Sequence, residues 1–195
     1  MSDCKAVVTP LNAVFQVSCD DAKCRRVNKR EYQSLIGALM YLAISTRPDI
    51  LHSVCKLSQK NSDPHSEHEA KHVLRYLKGT IDLKLRYHRL GHPIECYVDA
   101  DWGADVGDRK SYTDSAFYAA GAVFSWKSKK QNVVALSSTE AEYVALSTAA
   151  KEVIYIRKLL HEMGFPIKGP SLINSDNQSA LHLVKTLFTM LEVSI

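Results

Sequence analysis

The 195-residue chain is short of several common signals at once. Its five cysteines (Cys4, Cys19, Cys24, Cys55, Cys96) are odd in number and scattered, with no CxxC pair. That argues against a disulfide framework or zinc ribbon and for reduced thiols in an intracellular compartment, cytoplasmic or nuclear. No apolar run approaches the roughly 18 residues of a membrane span. The first residues carry neither a basic n-region nor an apolar h-region, so the expectation is a soluble chain with no membrane partner. A GxSxG elbow, a P-loop, a dinucleotide fingerprint, internal repeats and low-complexity tracts are all missing.

What is present is enough apolar residue to build a core: 46% hydrophobic against 24% charged. The net charge of +4 permits a nucleic-acid partner without demanding one.

Residues 1–28 show no sustained periodicity, although "LNAVFQVS" has the composition of a short strand, and they are expected to be irregular and linker-like. Residues 29–90 read as mainly helical. "EYQSLIGALMYLAIS" places Leu35, Leu39 and Leu42 at helical spacing. "TRPD" then interrupts, with Pro48 suited to the first turn of a new helix and Thr46 or Ser45 to its cap. "DILHSVCKLSQK" runs until "NSDP", and "SEHEAKHVLRYLKG" follows with Val73, Leu74 and Leu77 on one side and Lys71, Arg75 and Lys78 on another. "DLKLRYHR" alternates as a strand, and "LGHP" marks a boundary near residue 91.

Residues 91–195 change character. A strand at 94–101 precedes the polar loop "GADVGDRKSYTD"; "SAFYAA" and "AVFSWKSKK" then pair as a hairpin around Gly121. The longest helix covers about 139–163, "SLINSD" is a strand and "NQSALHLVK" a helix. The sum is an α/β layer with a sheet at its centre.

The strand "IECYVDADWG" alternates apolar and polar residues and then delivers Asp99 and Asp101. Aspartate is a poor strand former, and a buried carboxylate costs several kcal/mol unless paired or bound to a metal. Asp176 ends the later strand. Stepping by three and four from Glu142 gives Leu146, Ala149, Val153, Ile156 and Leu160, an apolar stripe that points Glu142 toward the sheet. Two strand-end acids and one inward helix acid converge at one sheet edge, where their mutual repulsion calls for a hard divalent cation.

Each acid also has a structural reading. Thr139 with Glu142 fits a capping box, and so does Ser137 with Glu140, which leaves Glu142 for chemistry. Asp176 suits an N-cap. Asp101 stands in reserve if the first strand is one residue out of register.

A rival constellation is "HEAKH", His68 to His72, which matches HExxH; on a helix its histidines hold zinc and Glu69 serves as base in a metallopeptidase. No third-ligand motif follows it, and a solvated helix rich in His, Glu and Lys is the plain alternative.

"YVDADWG…DRKS", "WKSKKQNVVALSSTEAEYVAL" and "SDNQSAL" resemble the ribonuclease H domain of copia-type LTR-retrotransposon Pol polyproteins. "YQSLIGALMYLAISTRPDI", "HVLRYLKGTIDLKLRY" and "DCKAVVTPL" resemble the end of the reverse transcriptase just upstream. The likeness extends through about Lys185. It implies a ribonuclease-H-like fold preceded by a reverse-transcriptase remnant, with the remainder of a Pol polyprotein as a natural partner. It implies that Asp99, Glu142 and Asp176 are metal-binding, catalytic carboxylates that use magnesium or manganese to hydrolyse the RNA strand of an RNA–DNA hybrid. Lys127, Lys129 and Lys130 are expected to contact nucleic-acid phosphates.

The chain departs from this pattern in three places. The "YVDD"-like polymerase acids are missing, so no polymerase is expected. "DRKS" runs on as "YTDSAFYA" where the pattern has "TSGYVF". After Lys185 the pattern leads to a "KHID"-like segment with a fourth carboxylate, whereas the chain reads "TLFTMLEVSI". Codons permitted for those residues, read one base earlier, encode "NPIYHARSKH", the segment the resemblance leads one to expect. The expectation is therefore a frameshift near Thr186 and a C-terminally truncated domain that is inactive, or else a non-catalytic retroelement fragment that binds nucleic acid weakly.

Overall fold

A computed structural model describes residues 4–12, 28–64, 68–88, 93–105 and 107–192, with side chains described up to 186. The run 13–18, most of the first expected strand, lies outside the described residues. The chain divides into two compact units, Met1–Leu85 and Arg86–Ile195.

In the first unit, helix α1 (Lys29–Ser45) begins where the Asn28 side chain accepts from the Arg30 amide. Its buried stripe is Tyr32, Ile36, Leu39 and Ala43. The expected stripe shares only Leu39 with it, and Leu42 is left 39% exposed. The rotation follows from Tyr32, which is buried because its hydroxyl donates to the Leu57 carbonyl at 3.0 Å. Pro48 opens a single 3₁₀ turn (Pro48–Ile50) as expected, but neither Ser45 nor Thr46 caps it. The Arg47 guanidinium instead grips Asp49 at 2.7 Å and the Thr80 carbonyl at 3.2 Å. Burial opposes ionisation of Asp49, yet hydrogen bonds from Arg47 and Tyr76 hold its pKa below the usual carboxylate range.

Helices α2 (Leu51–Ser58) and α3 (His68–Gly79) complete this unit. Residues 4–9 lie along α3, whose cations hold them. Arg75 Nε donates to the Lys5 carbonyl at 2.7 Å, and Lys78 Nζ to the Cys4 carbonyl at 2.9 Å. The approach is close enough that a Cβ on Gly79 would stand 2.9 Å from the Ala6 Cβ. The basic side of α3 is therefore engaged in part with the chain's own carbonyls.

The expected strand 82–89 is absent among its described residues, 82–88. The Tyr87 hydroxyl and the His88 amide each donate one bond, to the Val123 and Ala120 carbonyls, and no ladder forms.

The second unit is a four-stranded sheet in the order β3-β2-β1-β4. Strand β1 (Glu95–Asp101) runs antiparallel to β2 (Tyr112–Ala119), which runs antiparallel to β3 (Ala122–Lys130). The β2–β3 turn is two residues, Ala120 and Gly121, at φ 52° and 84°, the left-handed pair that suits the twist of a tight hairpin. Strand β2 starts earlier than expected: Tyr112, Thr113 and Asp114 belong to it because Asp101 closes the ladder on the Tyr112 amide.

Helix α4 (Ser138–Glu162) then crosses to β4 (Leu172–Asn174), which lies parallel to β1, and α5 (Gln178–Glu192) follows. Ile94, Cys96, Val98 and Phe117 from the sheet pack against Ala145, Leu146, Ala149, Val153 and Ile156 of α4 and Ala180 of α5. Burial pushes the Cys96 thiol up to about 11, so it behaves as a small apolar side chain there.

Candidate metal centre

Strands β1 and β4 are parallel, so their carboxyl ends lie at the same edge of the sheet. Their pairing stops at Tyr97↔Asn174, and β1 continues alone on that side through Asp101. Three acids meet at this notch. Oxygen atoms of Asp99, Glu142 and Asp176 all lie within 4.8 Å of one another, the one group of three or more potential ligand side chains among the described residues.

Each acid is placed by local rules. Asp99 lies two residues inside β1, its Oδ1 turned onto the Ala100 amide at 2.9 Å. Glu142 is delivered by the start of α4. The Ser137 hydroxyl accepts from the Glu140 amide at 3.1 Å, and Glu140 Oε2 reaches back to the Leu136 amide at 2.7 Å. The helix is thus capped by Ser137 and Glu140, and Glu142 is released from capping duty. Gln131, fully paired at its nitrogen, fixes the same turn: its side-chain NH₂ donates to the Ala141 carbonyl at 2.9 Å and to Thr113 Oγ1 at 3.0 Å. Asp176 follows β4, and it is not a cap, since Asn177 Oδ1 accepts from the Ala180 amide at the head of α5.

Asp101, the reserve candidate, is occupied at the β1–β2 ladder end. Glu140 is in the cap, as the Ser137 capping box would have it.

Electrostatics make the notch unusual. Glu142 is only 5% exposed. Its Oε1 receives the Ala100 amide at 3.3 Å, but Oε2 is buried with no hydrogen-bond partner. Burial first, and then the nearby charges of Asp99 and Asp176, push the Glu142 carboxyl up to about 7. The Ala100 amide works in the opposite direction. Asp99 and Asp176 remain exposed. A buried carboxylate with one unpartnered oxygen and two further acids within 4.8 Å suits a divalent cation with oxygen ligands, so the donor set fits magnesium or manganese.

The expected phosphate-binding lysines do not form one track. Lys127 and Lys129 share one face of β3, and Lys130 falls on the other. Lys127 is held 2.6 Å from Glu152 on α4, and Lys130 bridges Asp105 and Asp108. Lys129 is exposed.

The HExxH pattern is resolved differently. His72 is buried, and its Nε2 lies 2.9 Å from the Thr9 carbonyl, an acceptor that fixes this nitrogen as the protonated one. His68 is exposed, and no third ligand joins the pair among the described residues; His65 lies outside them. Sequence spacing alone missed Gln131 and Thr9: a lone glutamine after a strand and a carbonyl 63 residues away carry no local signal.

The chain is 38% identical over 192 residues to the "Retrovirus-related Pol polyprotein from transposon TNT 1-94" of Nicotiana tabacum, covering 95% of this chain and 14% of that protein. It is 36% identical over 187 residues to the "Retrovirus-related Pol polyprotein from transposon RE2" of Arabidopsis thaliana, covering 94% of this chain and 13% of the relative. It is 47% identical over 128 residues to "Secreted RxLR effector protein 161" of Plasmopara viticola, covering 64% of this chain and 90% of that one. No family model and no solved structure matches. It thus spans about one seventh of the tobacco polyprotein, and it belongs to the family of copia-type, retrovirus-related Pol polyproteins from transposons.

Proposed function

We propose that the second unit is the ribonuclease-H-like segment of a retroelement Pol protein and that Asp99, Glu142 and Asp176 hold its magnesium or manganese. In the same reading the first unit derives from the end of the reverse transcriptase. The observation that carries the site is the buried Glu142 Oε2, which has no hydrogen-bond partner and stands among two more carboxylates. The strand order, with β1 central and parallel to β4, is compatible with the fold that the resemblance implies.

When bound, such a cation supplies charge stabilisation at a phosphodiester and lowers the pKa of attacking water. The chain's own residues do the rest. Ser137, Glu140 and Gln131 fix the backbone of the first turn of α4, and the Ala100 amide holds Glu142 Oε1. Asp99 and Asp176 present exposed oxygens on the open side, where a phosphodiester of an RNA–DNA hybrid has access. Lys127 and Lys129 are both exposed on β3; with Lys127 and Lys130 bound to acids, hybrid affinity is expected to be weak and steeply salt-dependent.

Three carboxylates gather among the described residues, and residues 186–195 depart from the family pattern. The proposed function is therefore cation binding with little or no turnover. A hybrid-cleavage assay with Mn²⁺, run beside Asp99→Asn, tests this. Cation binding without cleavage is expected. Robust cleavage that Asp99→Asn abolishes would overturn the inactivity, and no cation binding at all would overturn the site.

A further inference from the structure

The register of β1 and β2 places Asp114 directly opposite Asp99. Directly opposed residues share a sheet face, with Cβ atoms about 4.5–5.5 Å apart. Like charges in that position destabilise an antiparallel pair, and aspartate is a poor strand former to begin with. Asp114 is half-buried in the middle of β2, with Thr113 and Ser115 on either side, so the strand carries a second acid behind the metal-ligating one. It does not join the set of three oxygens within 4.8 Å. Strand β2, which carries it, lies on the other side of β1 from β4.

We infer that Asp114 is a positioning residue for the cation site, acting through Asp99. Its negative charge raises the anionic potential at Asp99 and draws a divalent cation more strongly into the notch. The same charge makes the cation-free sheet less stable. This rests on the reading of Asp99, Glu142 and Asp176 as the cation site. The independent pointer to a ligand there is the Glu142 side chain, 5% exposed, with an Oε2 that has no hydrogen-bond partner. A purely structural Asp114 alters stability alone; one acting through Asp99 alters stability and cation affinity in opposite directions.

The test is equilibrium Mn²⁺ binding, followed by electron paramagnetic resonance of the free ion, together with thermal unfolding with and without Mn²⁺. The full chain is used as wild type, Asp114→Asn, Asp114→Glu and Asp99→Asn. Asp114→Asn is expected to raise the cation-free melting temperature and to weaken Mn²⁺ binding about three- to ten-fold. Asp114→Glu keeps the charge and is expected to retain most of the affinity. Asp99→Asn is expected to abolish specific binding. If wild type and Asp99→Asn bind Mn²⁺ alike, the site reading itself fails. If Asp99→Asn loses binding while Asp114→Asn binds as wild type does, only the role of Asp114 is overturned.

Discussion

Helices α3 and α4 each bring a metal-ligand pattern to the molecule, and the two end in opposite chemistry. On α3, His72 is buried and its ring nitrogen is engaged by the Thr9 carbonyl, while Arg75 and Lys78 hold neighbouring carbonyls. On α4, Glu142 is buried to a similar degree, yet one oxygen has no partner and two acids face it. A ligand spacing becomes a ligand set only where the fold leaves lone pairs unsatisfied. In α3 the surrounding chain satisfies them; in α4 it gathers more negative charge instead.

The sharpest way to break the contrast is to remove what seats α4. Phe117 is fully buried against that helix, and Phe117→Ala is expected to cost about 3–5 kcal/mol in denaturant unfolding of the second unit. A loss under about 1 kcal/mol would mean that the α4 packing is not what fixes Glu142.

Next in size is the pH dependence of the cation-free protein. The Glu142 carboxyl, ordinarily near 4.5, stands at about 7 when folded. A raised acid pKa means that the native state holds a proton the unfolded chain has released. Stability from this group is therefore greatest below the unfolded value and is lost as pH rises from about 4.5 through 7. The full difference amounts to about 3 kcal/mol. Glu142→Gln should flatten this decline and make the cation-free protein more stable than wild type at pH 8. Saturating Mn²⁺ should oppose the decline in wild type alone. A wild-type stability curve flat across this range would contradict the burial of an uncompensated carboxyl.

How legible this was in sequence depends on the range of the interaction. The stripe from Glu142 through Ile156 is periodic within one helix, so the inward direction of Glu142 could be read from spacing. The hairpin at Gly121 and the strand carrying Asp99 were equally local. The choice between two capping boxes was not, because Ser137–Glu140 and Thr139–Glu142 have identical spacing; geometry decides for the former. The α1 stripe was misjudged because Tyr32 is buried through a bond to Leu57, 25 residues on. The strand expected at 82–89 alternates correctly, but alternation does not supply a ladder partner. His72 looked like a ligand because its true partner, Thr9, is remote in sequence.

Smaller effects test the α3 side. His72→Ala removes a buried imidazole and leaves the Thr9 carbonyl without its donor, an expected loss of about 1–3 kcal/mol in the first unit. Zinc content of the purified protein should be negligible before and after the change. Stoichiometric zinc lost with His72 would restore the peptidase-like reading.

The smallest effect belongs to the cap. Ser137→Ala should cost about 1 kcal/mol by exposing the Glu140 amide, measured as a shift in the unfolding midpoint. Thr139→Ala, which removes the alternative capping residue, should cost less. The reverse order would place the cap on Thr139.

The most direct measurement is an isothermal titration of the full chain with Mn²⁺ at neutral pH, wild type beside Glu142→Gln. Saturable binding by wild type and its loss in the variant are expected, although the variant is the more stable protein without metal. Equal binding by both, or binding lost only when His68 and His72 are replaced, would contradict this expectation.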